Sequence, residues 1–177
     1  MSASRQDEVR LGLEAHLARL WRYALTLSGA RDVAEDLVQE ACLRAIERAH
    51  QFQPGSRLDR WLFSILRSIW FNEIRARRVR AGEGTLDASE TLYFDGAQEI
   101  ETNISAAQVL RALGRLPQAQ REAVLLVYAE GYSYREAADL FGVPIGTIMS
   151  RLAAARLALA GEPQRTGETI SERKTTL

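Results

Sequence analysis

The sequence predicts an all-α protein built as two small helical domains joined by a linker. Three observations carry this expectation. Apolar residues recur at three- and four-residue spacing along most of the 177 residues. Only four prolines interrupt a chain rich in Ala, Leu, Arg and Glu. An acidic, glycine-bearing stretch then parts the periodic segments into two groups.

In residues 7–28, Leu13, Leu17, Leu20, Trp21, Ala24 and Leu27 form the stripe of a first helix, with Gly29 where a C-terminal cap belongs. Asp32 and Glu35 have capping-box spacing ahead of a second helix, whose stripe is Ala34, Leu37, Val38, Ala41 and Ala45 and which runs to about His50. After the loop QFQPGS, Ser56 and Asp59 repeat that signature. Leu58, Trp61, Leu62, Ile65, Leu66 and Ile69 then give a long third helix reaching roughly Arg80. Residues 1–80 thus read as one compact unit. Residues 81–104 read as a linker, with the apolar triplet LYF at 92–94 as its exception.

A second unit, 105–161, opens at Ser105 with Gln108 in capping position. Pro117 is expected as the first residue of the helix QAQREAVLLVYAE, which ends at Gly131. Ser133 with Glu136 opens a short helix to Phe141, Gly142 turns the chain, and Ile145 starts a last helix to about Ala160. Short helix, glycine turn and longer helix are the layout of a helix-turn-helix, and the small Ala138 leaves room for the crossing. Residues 162–177 read as a disordered tail.

Composition narrows the function classes. The single Cys42 and the two histidines, His16 and His50, leave no multi-ligand metal cage, so no metal or cofactor is expected. No nucleophile–base–acid set and no phosphate-cradling loop appears, which argues against an enzyme. No stretch approaches the ~18 apolar residues that span a bilayer, and the first residues lack a signal-peptide core, so a cytoplasmic protein is expected.

The formal net charge of zero hides a segregation. Residues 57–80 carry seven Arg against two acids, and residues 81–107 carry six acids and no base. Every basic residue but Lys174 is Arg, the side chain that forks onto phosphates. In helix three Phe63, Trp70, Phe71 and Ile74 lie away from the core stripe, interleaved with Arg60, Arg67 and Arg78. A helix apolar on two faces either is buried on both or meets a ligand, and aromatic platforms with Arg suit unpaired nucleic acid. In helix two Asp36, Gln39, Glu40 and Glu47 face away from the stripe with Leu43 in their midst, which suggests a partner surface.

These segments carry a family resemblance. GYSYREAADLFGVPIGTIMSRLAAARLAL (131–159) resembles the last region of the extracytoplasmic-function sigma factors of bacterial RNA polymerase. DVAEDLVQEACLRAI (32–46) is similar to their polymerase-binding helix. FQPGSRLDRWLFSILRSIWFNEIRARR (52–78) resembles their promoter-melting segment, and LGRLPQAQREAVLLVYAEGYSY (113–134) the lead-in to the promoter-reading motif. The order and spacing agree over about residues 8–160.

The resemblance implies an alternative sigma factor that binds the β′ and β subunits of core RNA polymerase and promoter DNA, with an anti-sigma factor as regulator. It assigns core binding to Asp32, Glu35, Asp36, Gln39, Glu40 and Leu43. It assigns −10 DNA contact to Arg60, Trp61, Arg67, Ser68, Phe71, Asn72, Arg75 and Arg78, and −35 contact to Thr147, Ser150, Arg151 and Arg156. Two departures stand out. Ser68 occupies a place where many members carry Asn, and Met149, Ala153 and Ala154 replace basic residues of the recognition helix. That depletion motivates an alternative, a sigma-like mimic that sequesters an anti-sigma factor without initiating transcription. The charge pattern adds a last expectation, that the acidic linker (Asp87, Glu90, Asp95, Glu99, Glu101), anchored by LYF, shields the basic helix three.

Overall fold

The computed structural model describes residues 2–81 and 112–160. Six α-helices lie wholly within them, α1 (Ser2–Ser28), α2 (Arg31–Glu47), α3 (Leu58–Ala81), α4 (Gln118–Val124), α5 (Tyr134–Phe141) and α6 (Ile145–Ala160); residues 112–114 are helical as well, and no strand appears among the described residues. A 3₁₀ turn at Ala49–Gln51 follows α2, and α4 runs on into a π-helical turn, Leu125–Ala129. The linker from residue 82, the LYF triplet, the Ser105–Gln108 pair and the tail from residue 161 lie outside the described residues.

Helix ends follow local chemistry, with corrections at three caps. Gly29 closes α1 at φ 72°, donating its N–H to the Leu25 carbonyl at 2.8 Å. α2 begins two residues earlier than a cap at Asp32 requires. Its N-cap is Ala30, which offers no side-chain oxygen, and Glu35 instead meets Arg31 at 3.2 Å. Asp32 therefore sits in the first turn, where its charge faces the positive helix end. The Ser56–Asp59 box is likewise absent: Ser56 Oγ donates to the Gln53 carbonyl at 2.6 Å, closing the preceding turn, while Arg57 holds the Asp59 carboxylate at 2.6 Å. Pro117 is the N-cap of α4, one residue before the expected place. The Ser133–Glu136 box forms as expected, and Gly142 takes the left-handed conformation at φ 65°.

The first core gathers Val9, Leu13, Leu20, Tyr23, Ala24 and Leu27 of α1, Ala34, Leu37, Ala41 and Ala45 of α2, and Leu62, Leu66 and Ile69 of α3. Leu17, expected in the stripe, is 42% exposed. Ala123, Leu126, Ala137, Ile148 and Leu152 form the second core. The axes of α5 and α6 turn through 107°, within the helix-turn-helix range, and Val143 N–H reaches the Ala138 carbonyl at 3.1 Å across the turn.

The two cores join into one buried cluster. Phe63 makes the join, stacking on Tyr23 at 4.8 Å between ring centroids and tilting onto Tyr132 at 5.8 Å. The second apolar face of α3 is thus buried in this structure: Phe63 and Trp70 are both within the core, with Phe71 and Ile74 half-buried beside it.

Candidate nucleic-acid and partner interface

On α2, burial of Ala34, Leu37, Ala41 and Ala45 turns the opposite face outward. Asp32, Glu35, Asp36 and Gln39 are exposed, and Glu40 is half-buried and bonded to Arg44 at 2.6 Å. Leu43 stands among them 60% exposed. The structure thus brings all six sequence-expected residues onto one outward surface, acidic at its edges with an apolar centre.

The eight residues expected at the −10 element divide between two faces of α3. Ser68, Asn72 and Arg75 are exposed along one line of the helix. Trp61 is half-buried against Phe52, with ring centroids 5.3 Å apart. Arg60, Arg67 and Phe71 are half-buried. Of these, Arg60 and Arg67 turn toward the second half of the chain. The Arg60 guanidinium pairs with the Glu136 carboxylate and lies over the Tyr132 ring at 5.7 Å. Arg67 Nε stands 3.5 Å from Glu122 Oε2, and its guanidinium lies 4.5 Å from the Phe71 ring centre and 5.0 Å from that of Phe141. Arg78, half-buried near the end of α3, completes the set.

Sequence reasoning missed the acids that meet these arginines. Glu130 is the most enclosed: Arg19 Nε approaches its Oε2 at 2.5 Å and Arg22 its Oε1 at 3.0 Å, leaving the carboxylate 1% exposed. Glu122 is buried and accepts a hydrogen bond from Tyr23 Oη at 3.3 Å. Burial raises its pKa above the ordinary carboxylate value, against the opposing pull of Arg67. Glu136 moves the other way, held low by the Ser133 backbone N–H and by Arg60. Burial pushes Asp59 up as well, but the hydrogen bond and charge of Arg57 outweigh it and leave it low. Arg121 reaches back to donate to the Thr26 carbonyl at 2.8 Å, at the negative end of α1. The one available signal was a charged pair, Arg121–Glu122, set inside an apolar helical run.

On α6, Thr147 and Arg151 are half-buried and Ser150 and Arg156 exposed. Ser150 Oγ donates to the Thr147 carbonyl at 2.9 Å, and Arg151 lies over the Phe141 ring at 5.6 Å. Met149, 50% exposed, and Ala153 stand on the open side of the same helix. Among the described residues no three His, Cys, Asp or Glu side chains converge as a metal site, and no single helix is long and apolar enough to cross a membrane.

Comparison with known proteins identifies the family. The family described as Sigma-70 region 2 matches residues 13–80, and Sigma-70, region 4 matches residues 106–159. The ECF RNA polymerase sigma factor EcfG of Rhodopseudomonas palustris is 40% identical over 154 residues, covering 87% of this chain and 84% of that protein. The ECF RNA polymerase sigma factor SigL of Mycobacterium tuberculosis is 34% identical over 157 residues, covering 88% and 89%. Among solved structures, the sigma factor RpoE of Bartonella quintana, in complex with the anti-sigma factor NepR, superposes with TM-score 0.70 at 32% identity over 86% of this chain and 94% of that one. CnrH, in complex with the cytosolic domain of CnrY, shares the fold at TM-score 0.62 and 21% identity, over 90% and 92% of the two chains. With two region matches in order and relatives aligned over most of their length, the chain belongs to the ECF sigma factors of RNA polymerase.

Proposed function

We propose that this sigma factor docks on the β′ and β subunits of core RNA polymerase through the outward face of α2 and directs promoter-specific initiation from the cytoplasm. In this reading residues 1–80 bind core and open the −10 element, and residues 105–161 read the −35 element. The observation that carries it is Leu43, 60% exposed in the middle of Asp36, Gln39 and Glu40 on a helix whose other side is core. An apolar centre with a charged rim is how protein interfaces are built, the rim steering encounter and the centre holding it. α3 carries the strand-capture chemistry, with Asn72 and Arg75 outward and Arg60 and Arg67 beside aromatic rings. An anti-sigma factor is the expected regulator, because the similar RpoE and CnrH were each solved with a partner.

The mimic reading rests on Met149 and Ala153, apolar residues on the open side of α6 where groove contacts need polar groups. One experiment addresses both. Run-off transcription with purified core polymerase over a promoter library should yield specific transcripts, and Leu43→Asp should abolish them by weakening core binding while the helical circular dichroism stays unchanged. No transcript from any promoter, with anti-sigma binding intact, would favour the mimic.

A further inference from the structure

We propose that Met149 and Ala153 read the methyl groups of thymines in the major groove of the −35 element, which makes the apolar flank of α6 a specificity surface. The inference rests on the reading of residues 105–161 as the −35-binding unit and adds which feature of the groove the helix selects. Burial of Ile148, Leu152 and Ala155 fixes the side of α6 that packs inward. At about 100° per residue, Ser150 lies opposite them, at the centre of the open side. Met149 and Ala153 stand one turn apart on one flank of Ser150, and Thr147 and Arg151 stand on the other. Met149 is 50% exposed and Ala153 is exposed as well, so both meet whatever the open side meets. In a helix-turn-helix that is the major groove, into which the second helix is set.

The major-groove edge of a base pair carries hydrogen-bonding atoms and, at thymine alone, a C5 methyl group. That methyl is the feature an apolar side chain recognises, so a flank of Met and Ala is not blank to DNA. Ser150 sharpens the match. Its Oγ donates to the Thr147 carbonyl at 2.9 Å, which commits its only proton and leaves the hydroxyl an acceptor toward the groove. An acceptor there takes the N6 amino group of adenine or the N4 amino group of cytosine. Of the two pairs only A·T also carries a methyl on the same edge, where Met149 or Ala153 covers it. The flexible thioether of Met149 follows the position of the methyl, and the short Ala153 lets the helix backbone approach. α6 thereby favours A·T over G·C at this step without a charged contact.

The test uses the full chain assembled with core polymerase and a duplex carrying the −35 element of a promoter that the run-off library returns. Thymines of that element, on either strand, are replaced one at a time by deoxyuridine, which keeps the pairing and removes the methyl. At one or two positions the wild-type chain should bind about fourfold more weakly, as expected for one lost apolar carbon contact. The double variant Met149→Ser, Ala153→Ser should bind thymine and uracil duplexes equally, and its helical circular dichroism should be unchanged because both positions are exposed. Met149→Arg should likewise lose its share of the discrimination, whatever affinity it gains from phosphate. Equal binding of every uracil duplex by the wild-type chain overturns the methyl reading and leaves the −35 assignment standing. A loss that persists in the double variant does the same, because the methyl is then read elsewhere. A −35 element with no thymine on either strand also overturns it. Binding that ignores replacement of the whole −35 element, or a library that returns no promoter, overturns the −35 assignment and this inference together.

Discussion

Arg67 of α3 and Glu122 of α4 meet with 3.5 Å between Nε and Oε2, one half-buried and the other buried. The guanidinium lies near both Phe71 of its own helix and Phe141 of α5, so one side chain joins α3 to the helix-turn-helix. Arg67→Ala strands the Glu122 charge. In a rigid core that costs about 3–5 kcal/mol. Here the halves can part and return the carboxylate to water, so the loss is expected as opening, with α1–α3 retaining their stability. Hydrogen exchange should show a faster amide at Tyr132, which bonds the Leu126 carbonyl, against unchanged protection at Tyr23, Leu37 and Leu66.

The same contact should respond to acid in two directions. Glu122 has its pKa raised by burial in the closed form, so protonation favours closure. That contribution is complete below the ordinary carboxylate value and is lost as pH rises through the raised one. Glu136 is held low by the Ser133 backbone N–H of its own domain and by Arg60 across the contact; only the Arg60 part favours closure, and it is present above the ordinary value and vanishes as pH falls through the lowered one. Scattering followed downward from neutral pH should show tightening and then opening, and Glu122→Gln should remove the tightening alone.

Within the helix-turn-helix, size and backbone conformation separate two substitutions. Gly142 sits at φ 65° with nothing within 4 Å of an added Cβ, so Gly142→Ala carries only backbone strain, about 1 kcal/mol. Ala138 is buried where α5 turns into α6, and Ala138→Leu must force the helices apart, at about 1–3 kcal/mol or more. Thermal melts should rank them in that order. Only the second should also weaken −35 binding, because it changes the 107° between the helices.

The helix-turn-helix was legible because its determinants are local. Ser133, Glu136 and Gly142 act within a few residues, and the structure forms the box and the left-handed turn they imply. The same reasoning failed at Asp32 and Ser56 for a physical cause. At the first, Ala30 starts the helix; at the second, Arg57 and Arg19 attract the Asp59 carboxylate more strongly than a local cap does. The outward face of α2 followed from periodicity alone, since whatever opposes Ala34, Leu37 and Ala41 must face out. The second face of α3 did not, because Phe63 and Trp70 are as fit for a splayed base as for a core. Part of the cover of Phe63 comes from Tyr132, far along the chain. A charge pattern shows that Arg60 needs a counter-ion, not which acid supplies it.

On the open side of α6, Met149 offers a site for gain of function. It is 50% exposed, so Met149→Arg costs little stability and places a cation on the face that carries Ser150 and Arg156. One new phosphate contact should raise affinity for −35 duplex and steepen the slope of log affinity against log salt by about 0.9. Binding titrations at several salt concentrations would show it. An unchanged slope would mean that this side of α6 does not approach the DNA backbone.

The outward residues of α3 give the most direct measure of promoter opening, because they lie apart from the ion pairs that join the halves. Asn72 and Arg75 are exposed, and Arg75 has no part in the contacts with Glu122, Glu130 or Glu136. Arg75→Ala should therefore leave the scattering profile and the melting temperature unchanged while slowing open-complex formation by polymerase holoenzyme. Adding Phe71→Ala removes the ring beside Arg67 as well, so the double variant should show a larger defect, part of it through altered closure. Permanganate reactivity of thymines at the −10 element is the readout. Reduced reactivity in Arg75→Ala, deepening in the double variant and worsening as salt rises, is the pattern expected of a phosphate contact next to a stacking platform. Thymine reactivity equal to wild type in both variants would place strand capture elsewhere than on α3.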